Sequence, residues 1–253
     1  MDSVTKSVIA LACVFGAALL GMFFSKRMPD EYHASDSKDV VRLVMGLVVT
    51  TVAIALGLLV GSAKTFYDTQ NAEMAEIAAN YVLMDRLLGQ YGPDASDARG
   101  ALRTILARQL EERKQLLGSS KTYSDIKSGA AVGEMIVDKL QMLSPKDDNQ
   151  KFLKQECLNL QVQLGQIRWL MFAQNTVPFP KFLLVMLIAW LILLFVSFGI
   201  FAPRNLLVLA GFLASAAAVC GAILLILEMY NPQSGLIRVS DAPLRAAMTQ
   251  LGR

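Results

Sequence analysis

The sequence has little charge and few of the residues that build catalytic or metal sites. Of its 253 residues, 18% are charged, one is a histidine and three are cysteines. Cys13, Cys157 and Cys220 stand far apart, so neither a disulfide framework nor a zinc cluster is indicated, and His33 has only scattered carboxylates around it. No HExxH, GxSxG or dinucleotide-binding glycine pattern occurs. We therefore expect a protein that is not an enzyme and that binds no metal and no cofactor.

The net charge of +3 is small, and no long basic run suggests nucleic acid as a partner. What the chain has in abundance is apolar sequence. Four blocks without any charge cover residues 7–24, 43–63, 182–201 and 206–227. Each would span roughly 27 to 33 Å as a helix, which matches the hydrocarbon core of a bilayer. The sequence thus predicts an all-α protein with four transmembrane helices, and the lipid bilayer is its first expected partner.

About 120 mostly polar residues separate the second block from the third, and their periodicity is helical. In two long segments, apolar residues recur at alternating spacings of three and four, as on the buried side of a helix. Ser144, followed by Pro145, is the predicted N-cap of the second segment. We predict an extramembrane helical bundle inserted between spans two and three. Its two seams are Met74, Ile77, Tyr81, Met84, Leu88 and Tyr91, and Leu153, Cys157, Leu160, Leu164, Ile167 and Met171.

The predicted organisation has four parts. Residues 1–63 hold transmembrane helices 1 and 2 with a short polar loop at 25–42, and residues 64–180 form the extramembrane helical domain. Residues 181–230 form a transmembrane hairpin of helices 3 and 4, and residues 231–253 are a polar C-terminal tail. Lysines and arginines flank the spans in nearly equal number on both sides, so the positive-inside rule leaves the orientation open.

The second apolar block carries small residues along one side of its helix. That side continues past the apolar stretch to Lys64 and Asp68. In a bilayer it either lets another helix come close, as the GxxxG pattern from Gly57 to Gly61 does, or it lines an aqueous path. The two alternatives coexist in a ring of subunits, where one flank of the helix makes contact and another faces the lumen. We call this side the small-residue stripe: Gly46, Thr50, Ala53, Gly57 and Gly61.

If span two lines a pore, Thr50 and Thr51 can hydrogen-bond a partly dehydrated ion, and Ile54 and Leu58 can form a dewetting constriction. Charged residues at the membrane edge either form a structural pair, Lys64 with Glu228, or a charged pore mouth. The pore-lining candidates are Gly46, Thr50, Thr51, Ala53, Ile54, Gly57, Leu58 and Gly61, and the pore-mouth candidates are Lys64, Asp68, Lys181 and Glu228.

Motifs spread over almost the whole chain resemble those of the bestrophin-like family of bacterial membrane proteins of unknown function. The segments that carry the resemblance include Lys26-Arg27-Met28-Pro29, Ser62-Ala63-Lys64 with Tyr67-Asp68-Thr69-Gln70, Tyr91-Gly92-Pro93, Phe201-Ala202-Pro203-Arg204-Asn205, and Asn231-Pro232 with Ser234-Gly235-Leu236-Ile237.

The bestrophins for which this family is named are pentameric anion channels whose second membrane helix lines a pore with a hydrophobic neck. Their neck residues have no one-to-one match in this sequence. The resemblance implies a homo-oligomeric, pentameric channel for inorganic ions, by that analogy anions, in a bacterial inner (plasma) membrane, with the middle domain and both termini in the cytoplasm. The alternative is a non-conducting membrane scaffold or regulatory protein that acts through its helical extramembrane domain.

Overall fold

The computed structural model describes residues 3–25, 35–116, 126–176, 181–231 and 237–252, and these ranges are mostly helical and contain no strand. The all-α prediction is confirmed for this part of the chain. Its helices are α1 (Ser3–Ser25), α2 (Ser35–Tyr91), α3 (Ser96–Leu116), α4 (Ile126–Gln141), α5 (Asp148–Thr176), α6 (Lys181–Phe201), α7 (Leu206–Met229) and α8 (Ala242–Gln250).

Four of these helices are long and apolar enough to cross a membrane, as predicted: α1, α2, α6 and α7. With 57 residues, α2 is about 85 Å long, far more than the roughly 30 Å of a hydrocarbon core. It ends where the sequence predicts a stop, because Gly92 adopts a φ of 108° and Pro93 follows. The helix that contains span two therefore continues without a break through the first predicted seam.

The described residues of Met1–Phe66 and Pro178–Asn231 form one compact unit, which we call the first unit. Within it, α1 packs against α6 and α7. Gly21 and Gly199 permit the closest approach, because a Cβ at Gly21 would overlap the Val196 carbonyl oxygen and one at Gly199 would overlap the Ala18 carbonyl oxygen. Close backbone approach through small residues is the usual way that membrane helices pair.

The turn between α6 and α7 is short, as the proline and asparagine at its end predict. Asn205 caps α7, since its side-chain oxygen accepts a hydrogen bond of 2.8 Å from the Val208 backbone N–H. The loop residues 26–34, the prolines at 178 and 180 and residues 232–236 lie outside the described residues, as does His33.

The described residues of Tyr67–Val177 and Pro232–Arg253 form the second unit. Every residue of the two predicted seams is buried in one apolar cluster of this unit, so both seams are confirmed. The helix α4 packs against α3 and α5. Burial raises the pKa of Cys157 to about 12, so its thiol stays protonated and acts as a packing group.

The predicted N-cap of α5 is wrong. Asp147, not Ser144, holds this position: its Oδ1 accepts a hydrogen bond of 2.7 Å from the Gln150 N–H, and α5 begins at Asp148. In return, the Gln150 side chain accepts from the Lys146 N–H over 2.8 Å. The carboxylate is the better cap because it both accepts the hydrogen bond and carries negative charge at the positive end of the helix.

The C-terminal residues pack on the second unit, although the sequence pattern predicts only a polar tail there. Leu244 and Ala247 of α8 and the following Leu251 are buried in the apolar cluster, and α8 packs against α3. Beyond α8, the Gly252 N–H donates to the buried carboxylate of Asp85 over 2.8 Å. The end of the described chain is thereby fixed to the core of the unit.

Candidate functional site

Among the four spans, span two is the one that the described residues cover least. Within the most apolar 18-residue stretch of each span, 11% of the residues of α2 are buried, against 33% in α1, 33% in α6 and 22% in α7. A helix that one subunit leaves so exposed must be covered by lipid, by another subunit or by water. The residue types on its exposed sides therefore decide what it faces.

One side of α2 belongs to the core of the first unit. Val52, Leu59 and Ala63 are buried there, with partly buried side chains such as Val48 and Leu56 beside them. Because successive helical residues are about 100° apart around the axis, these side chains lie on average about 140° from the small-residue stripe, on the other side of the helix. The core contact thus fixes which side of α2 is turned outward.

The small-residue stripe lies on the outward side. All five of its residues are exposed. Apart from its chain neighbours and the adjacent backbone of α2 itself, a Cβ added at Gly46, Gly57 or Gly61 would meet no described atom within 4 Å. The same holds for Gly211 on α7. The described part of one subunit therefore uses neither Gly211 nor the glycines of the stripe for close packing. A partner for the stripe must come from outside the described subunit.

The stripe's hydroxyl group is held by the helix itself. Thr50 Oγ1 donates to the Gly46 carbonyl oxygen over 3.0 Å, and on the adjoining side Thr51 Oγ1 donates to the Leu47 carbonyl oxygen over 3.0 Å. Each hydroxyl therefore donates its hydrogen bond to a backbone carbonyl one turn earlier, and its oxygen can still accept a hydrogen bond from an outside donor. These threonines are polar without leaving an unpaired donor in the membrane.

Large apolar side chains form a second exposed strip beside the stripe. Leu47, Ile54 and Leu58 are 71%, 60% and 71% exposed, which is very high for apolar side chains. They lie about 80° around the helix from the stripe. We call these three residues the apolar strip. The outward side of α2 thus combines a small, flat surface with a projecting apolar one.

The four charged candidates divide. Lys64 and Asp68 are exposed and lie one turn apart on α2, whereas Glu228 of α7 is only 4% exposed. Lys181 begins α6, and its side chain lies outside the described part of the structure. A pairing of Lys64 with Glu228 stays a prediction. Of the three candidates whose side chains are described, Lys64 and Asp68 have the exposure that a charged mouth requires.

Sequence reasoning missed the contact that fixes this end of span two. Ser62 Oγ lies 2.9 Å from the hydroxyl oxygen of Tyr230, and the Tyr230 ring stacks on Phe66 with ring centroids 5.3 Å apart. Ser62 and Phe66 are four residues apart on α2, which places them on one face. The amphipathic character of Tyr230 at the end of a membrane helix is the signal that could have pointed to it.

Among the described residues, no three His, Cys, Asp or Glu side chains come together in a way that could hold a metal ion. The outward side of α2 therefore offers hydroxyl oxygens, small residues and apolar side chains, with a lysine and an aspartate beyond. Surfaces of this kind contact other helices or pass small solutes.

Comparison with known proteins places the chain in a family. The family model described as Bestrophin-like domain matches residues 12–244. Two crystal structures of a bacterial bestrophin homolog from Klebsiella pneumoniae, each with a mutation, have TM-scores of 0.69 and 0.67 to this chain. Each is 14% identical to this chain in sequence, and each alignment covers 97% of this chain and 97% of the matched chain, which shows a shared fold. No curated protein matches the chain. The chain belongs to the Bestrophin-like family.

Proposed function

We propose that this protein is the subunit of a homo-oligomeric ion channel in which α2 lines the conduction path. The observation that carries the proposal is the outward small-residue stripe on the span that the subunit covers least. Glycine and threonine side chains leave a helix surface on which another helix can approach closely, and they suit lipid less well than leucine or valine. A ring of subunits gives this surface both a neighbour and a lumen.

The two exposed surfaces of α2 have different roles in this proposal. The stripe lets the α2 helix of a neighbouring subunit approach and borders the lumen near Thr50. Ile54 and Leu58 of the apolar strip project into the lumen as a constriction that excludes water. Since stripe and strip are about 80° apart, both surfaces are used by one helix in a closed ring.

The ions proposed to pass are anions, as the family resemblance implies, with Lys64 at the mouth as their attracting group. A pentamer, a location in a bacterial inner membrane and a second unit that lies in the cytoplasm belong to the same proposal. The polar composition of residues 64–180 and the buried seams of the second unit support its position outside the bilayer.

The experiment is reconstitution of the purified full chain in planar bilayers, with the subunit number measured by native mass spectrometry in detergent. A closed ring and an ion current whose reversal potential follows the chloride gradient support the proposal. A ring that carries no current with any salt, or a monomer, contradicts it. A current whose reversal potential follows the cation gradient would support a channel but contradict the proposed selectivity for anions.

One observation favours the alternative, a non-conducting scaffold that acts through the second unit. Val162 and Trp169 of α5 are 61% and 64% exposed and lie within about 20° of each other around the helix, so this helix has an apolar side that the described residues of its own subunit leave open. A monomer or dimer without ion current, whose α5 residues become protected from solvent when a second protein binds, would establish the scaffold instead.

A further inference from the structure

Three polar side chains form a buried hydrogen-bond chain between two long helices of the second unit. Gln70 and Glu73 lie on α2, and Gln174 lies in the last turn of α5. Gln70 Nε2 donates to Gln174 Oε1 over 2.6 Å, and Gln174 Nε2 donates to Glu73 Oε1 over 2.7 Å. Gln70 Nε2 also donates to Glu73 Oε2 over a longer distance of 3.4 Å. Gln70 is 1% and Glu73 is 7% exposed. Water is therefore largely excluded from a chain that ends on a carboxyl group.

The surroundings of Glu73 disfavour its negative charge. Burial is the main cause, and repulsion by Glu76 one turn further along α2 adds to it. The hydrogen bond from Gln174 acts in the opposite direction but is the smaller effect, so the pKa of Glu73 lies above its usual range.

Charged groups on the neighbouring elements have partners other than Glu73. On α5, Arg168 donates to the hydroxyl of Tyr81. In the segment before α8, Asp241 pairs with Arg113 over 2.6 Å. The group that α5 presents to Glu73 is the neutral amide of Gln174.

The other end of the chain is incomplete. Gln70 Oε1 is buried and has no hydrogen-bond partner among the described residues. An amide can turn over with little change in shape, because its oxygen and its NH₂ group are nearly equal in size. If the Glu73 carboxyl group carries a proton, that proton can be donated to Gln174 Oε1, and Gln174 Nε2 can then donate to Gln70 Oε1. The chain runs in the opposite direction, and the outer atom of Gln70 is the unpaired end in both states.

We propose that Glu73 is a proton-binding site whose occupation reverses this hydrogen-bond chain and tightens the hold of α2 on α5. A proton taken from solvent removes the buried charge, and turning over both amides restores the two shorter hydrogen bonds. The longer contact of Gln70 Nε2 with Glu73 Oε2 is lost in this state. This inference concerns the second unit and does not depend on whether the protein conducts ions.

The direction of the effect follows from the raised pKa. The folded protein binds this proton more tightly than the unfolded chain does, so the stabilisation is fully present below the usual glutamate pKa. It is lost as the pH rises through the raised pKa of Glu73. Acidification across this window should therefore make the second unit more resistant to unfolding.

The test uses the full chain in detergent and the variant Glu73→Gln, with Glu76→Gln as the matched control. The amide at position 73 donates to Gln174 Oε1 as the protonated carboxyl group would. We expect the wild-type unfolding temperature to fall as the pH rises through the window, and E73Q to lose this component and to unfold at a higher temperature at neutral pH. E76Q should keep this pH-dependent part of the unfolding temperature but shift it to lower pH, because the charge of Glu76 no longer repels the Glu73 carboxylate. Parallel pH profiles of wild type and E73Q would overturn the proposal.

A second measurement observes the proton itself. Infrared spectroscopy should show a protonated-carboxyl band that persists at pH values above the usual glutamate pKa. The band should be absent in E73Q. In Gln174→Met, both the bond to the carboxylate and the bond from the protonated carboxyl group are lost. The titration of this band should shift to higher pH, because the charge-assisted bond to the carboxylate is the stronger of the two. A band that E73Q leaves unchanged, or a titration that Q174M does not move, would also overturn the proposal.

Discussion

Ser62 Oγ and the Tyr230 hydroxyl oxygen lie 2.9 Å apart, and this contact joins the end of span two to the residue that follows α7. The Tyr230 ring also stacks on Phe66, one turn along α2. Beside them Ala63 is completely buried. Together these contacts fix the rotation of α2 about its own axis, and so determine that the small-residue stripe points outward.

Tyr230→Phe separates the two parts of this contact. The ring and its stacking on Phe66 are kept, but the hydrogen bond to Ser62 is lost, so we expect a loss of about 0.5 to 1.5 kcal/mol of stability. Tyr230→Ala should cost clearly more because the stacked ring goes too. Thermal unfolding of the purified protein in detergent measures both. Equal losses for Y230F and Y230A would show that stacking contributes nothing.

Shortening the apolar strip should widen the proposed constriction. Ile54→Ala and Leu58→Ala should each raise the single-channel conductance in a planar bilayer, because a smaller apolar side chain lets the lumen stay wet. Leu213→Ala on α7 is the matched control, since Leu213 is an exposed leucine of another span. Conductance that rises equally in L213A would assign the effect to general loosening of the membrane helices.

The parts of the fold that follow from local periodicity could be predicted from sequence. Both seams of the second unit recur at spacings of three and four, and each of their residues is buried. The stop at Gly92 was equally readable, because a glycine followed by proline cannot continue a helix. The existence of the stripe was visible too, but its direction was not: that depends on Val52 and Leu59 finding a core in the first unit.

Contacts between distant segments could not be predicted in this way. Nothing around Gly21 in the sequence indicates that it meets Val196 rather than a helix of another subunit. The same is true of Gln174, which stands 101 residues after the carboxyl group that it binds. Leu244 and Leu251 look like scattered apolar residues in a polar tail, and only the cluster that they join explains them.

Asp85 is a second buried carboxylate, and it should show the opposite pH dependence to Glu73. Burial alone would raise its pKa, but the hydrogen bonds and charge of Arg99, with the Gly252 N–H, lower it overall. Arg99 holds both carboxylate oxygens at 2.9 Å. The ionised Asp85 carboxylate therefore contributes its full stabilisation above the usual aspartate pKa. This stabilisation is lost as the pH falls through the lowered pKa of Asp85.

Asp85→Asn should cost about 1.5 to 3 kcal/mol at neutral pH, the usual range for hydrogen bonds to a charged group. The loss should shrink in acid, where the wild-type carboxylate is protonated as well. Asp94→Asn, at an exposed aspartate just beyond α2, is the control and should change stability little. A D85N penalty that stays constant from neutral to acid pH would contradict the charge argument.

Lys64→Glu tests the proposed mouth of the channel. If Lys64 attracts anions to the pore, reversing its charge should shift the reversal potential in a salt gradient toward cations, and the shift should diminish at high ionic strength. Lys114→Glu, an exposed lysine on α3, should leave selectivity unchanged. If K64E instead lowers the unfolding temperature with unaltered selectivity, the lysine has a structural role.

Gly57→Leu and Gly21→Leu distinguish the surface between subunits from the packing within one. At Gly57 no described atom lies within 4 Å of an added Cβ, so the subunit itself can accept the leucine. At Gly21 the added carbon overlaps the Val196 carbonyl oxygen, so that leucine must separate α1 from α6. We therefore expect G57L to unfold at nearly the wild-type temperature once separated into subunits, but to lose the oligomer in native mass spectrometry. G21L should lose folded protein altogether. An intact G57L oligomer with normal current would mean that the stripe faces acyl chains, because neither a neighbouring helix nor a narrow lumen has room for four added carbon atoms per subunit.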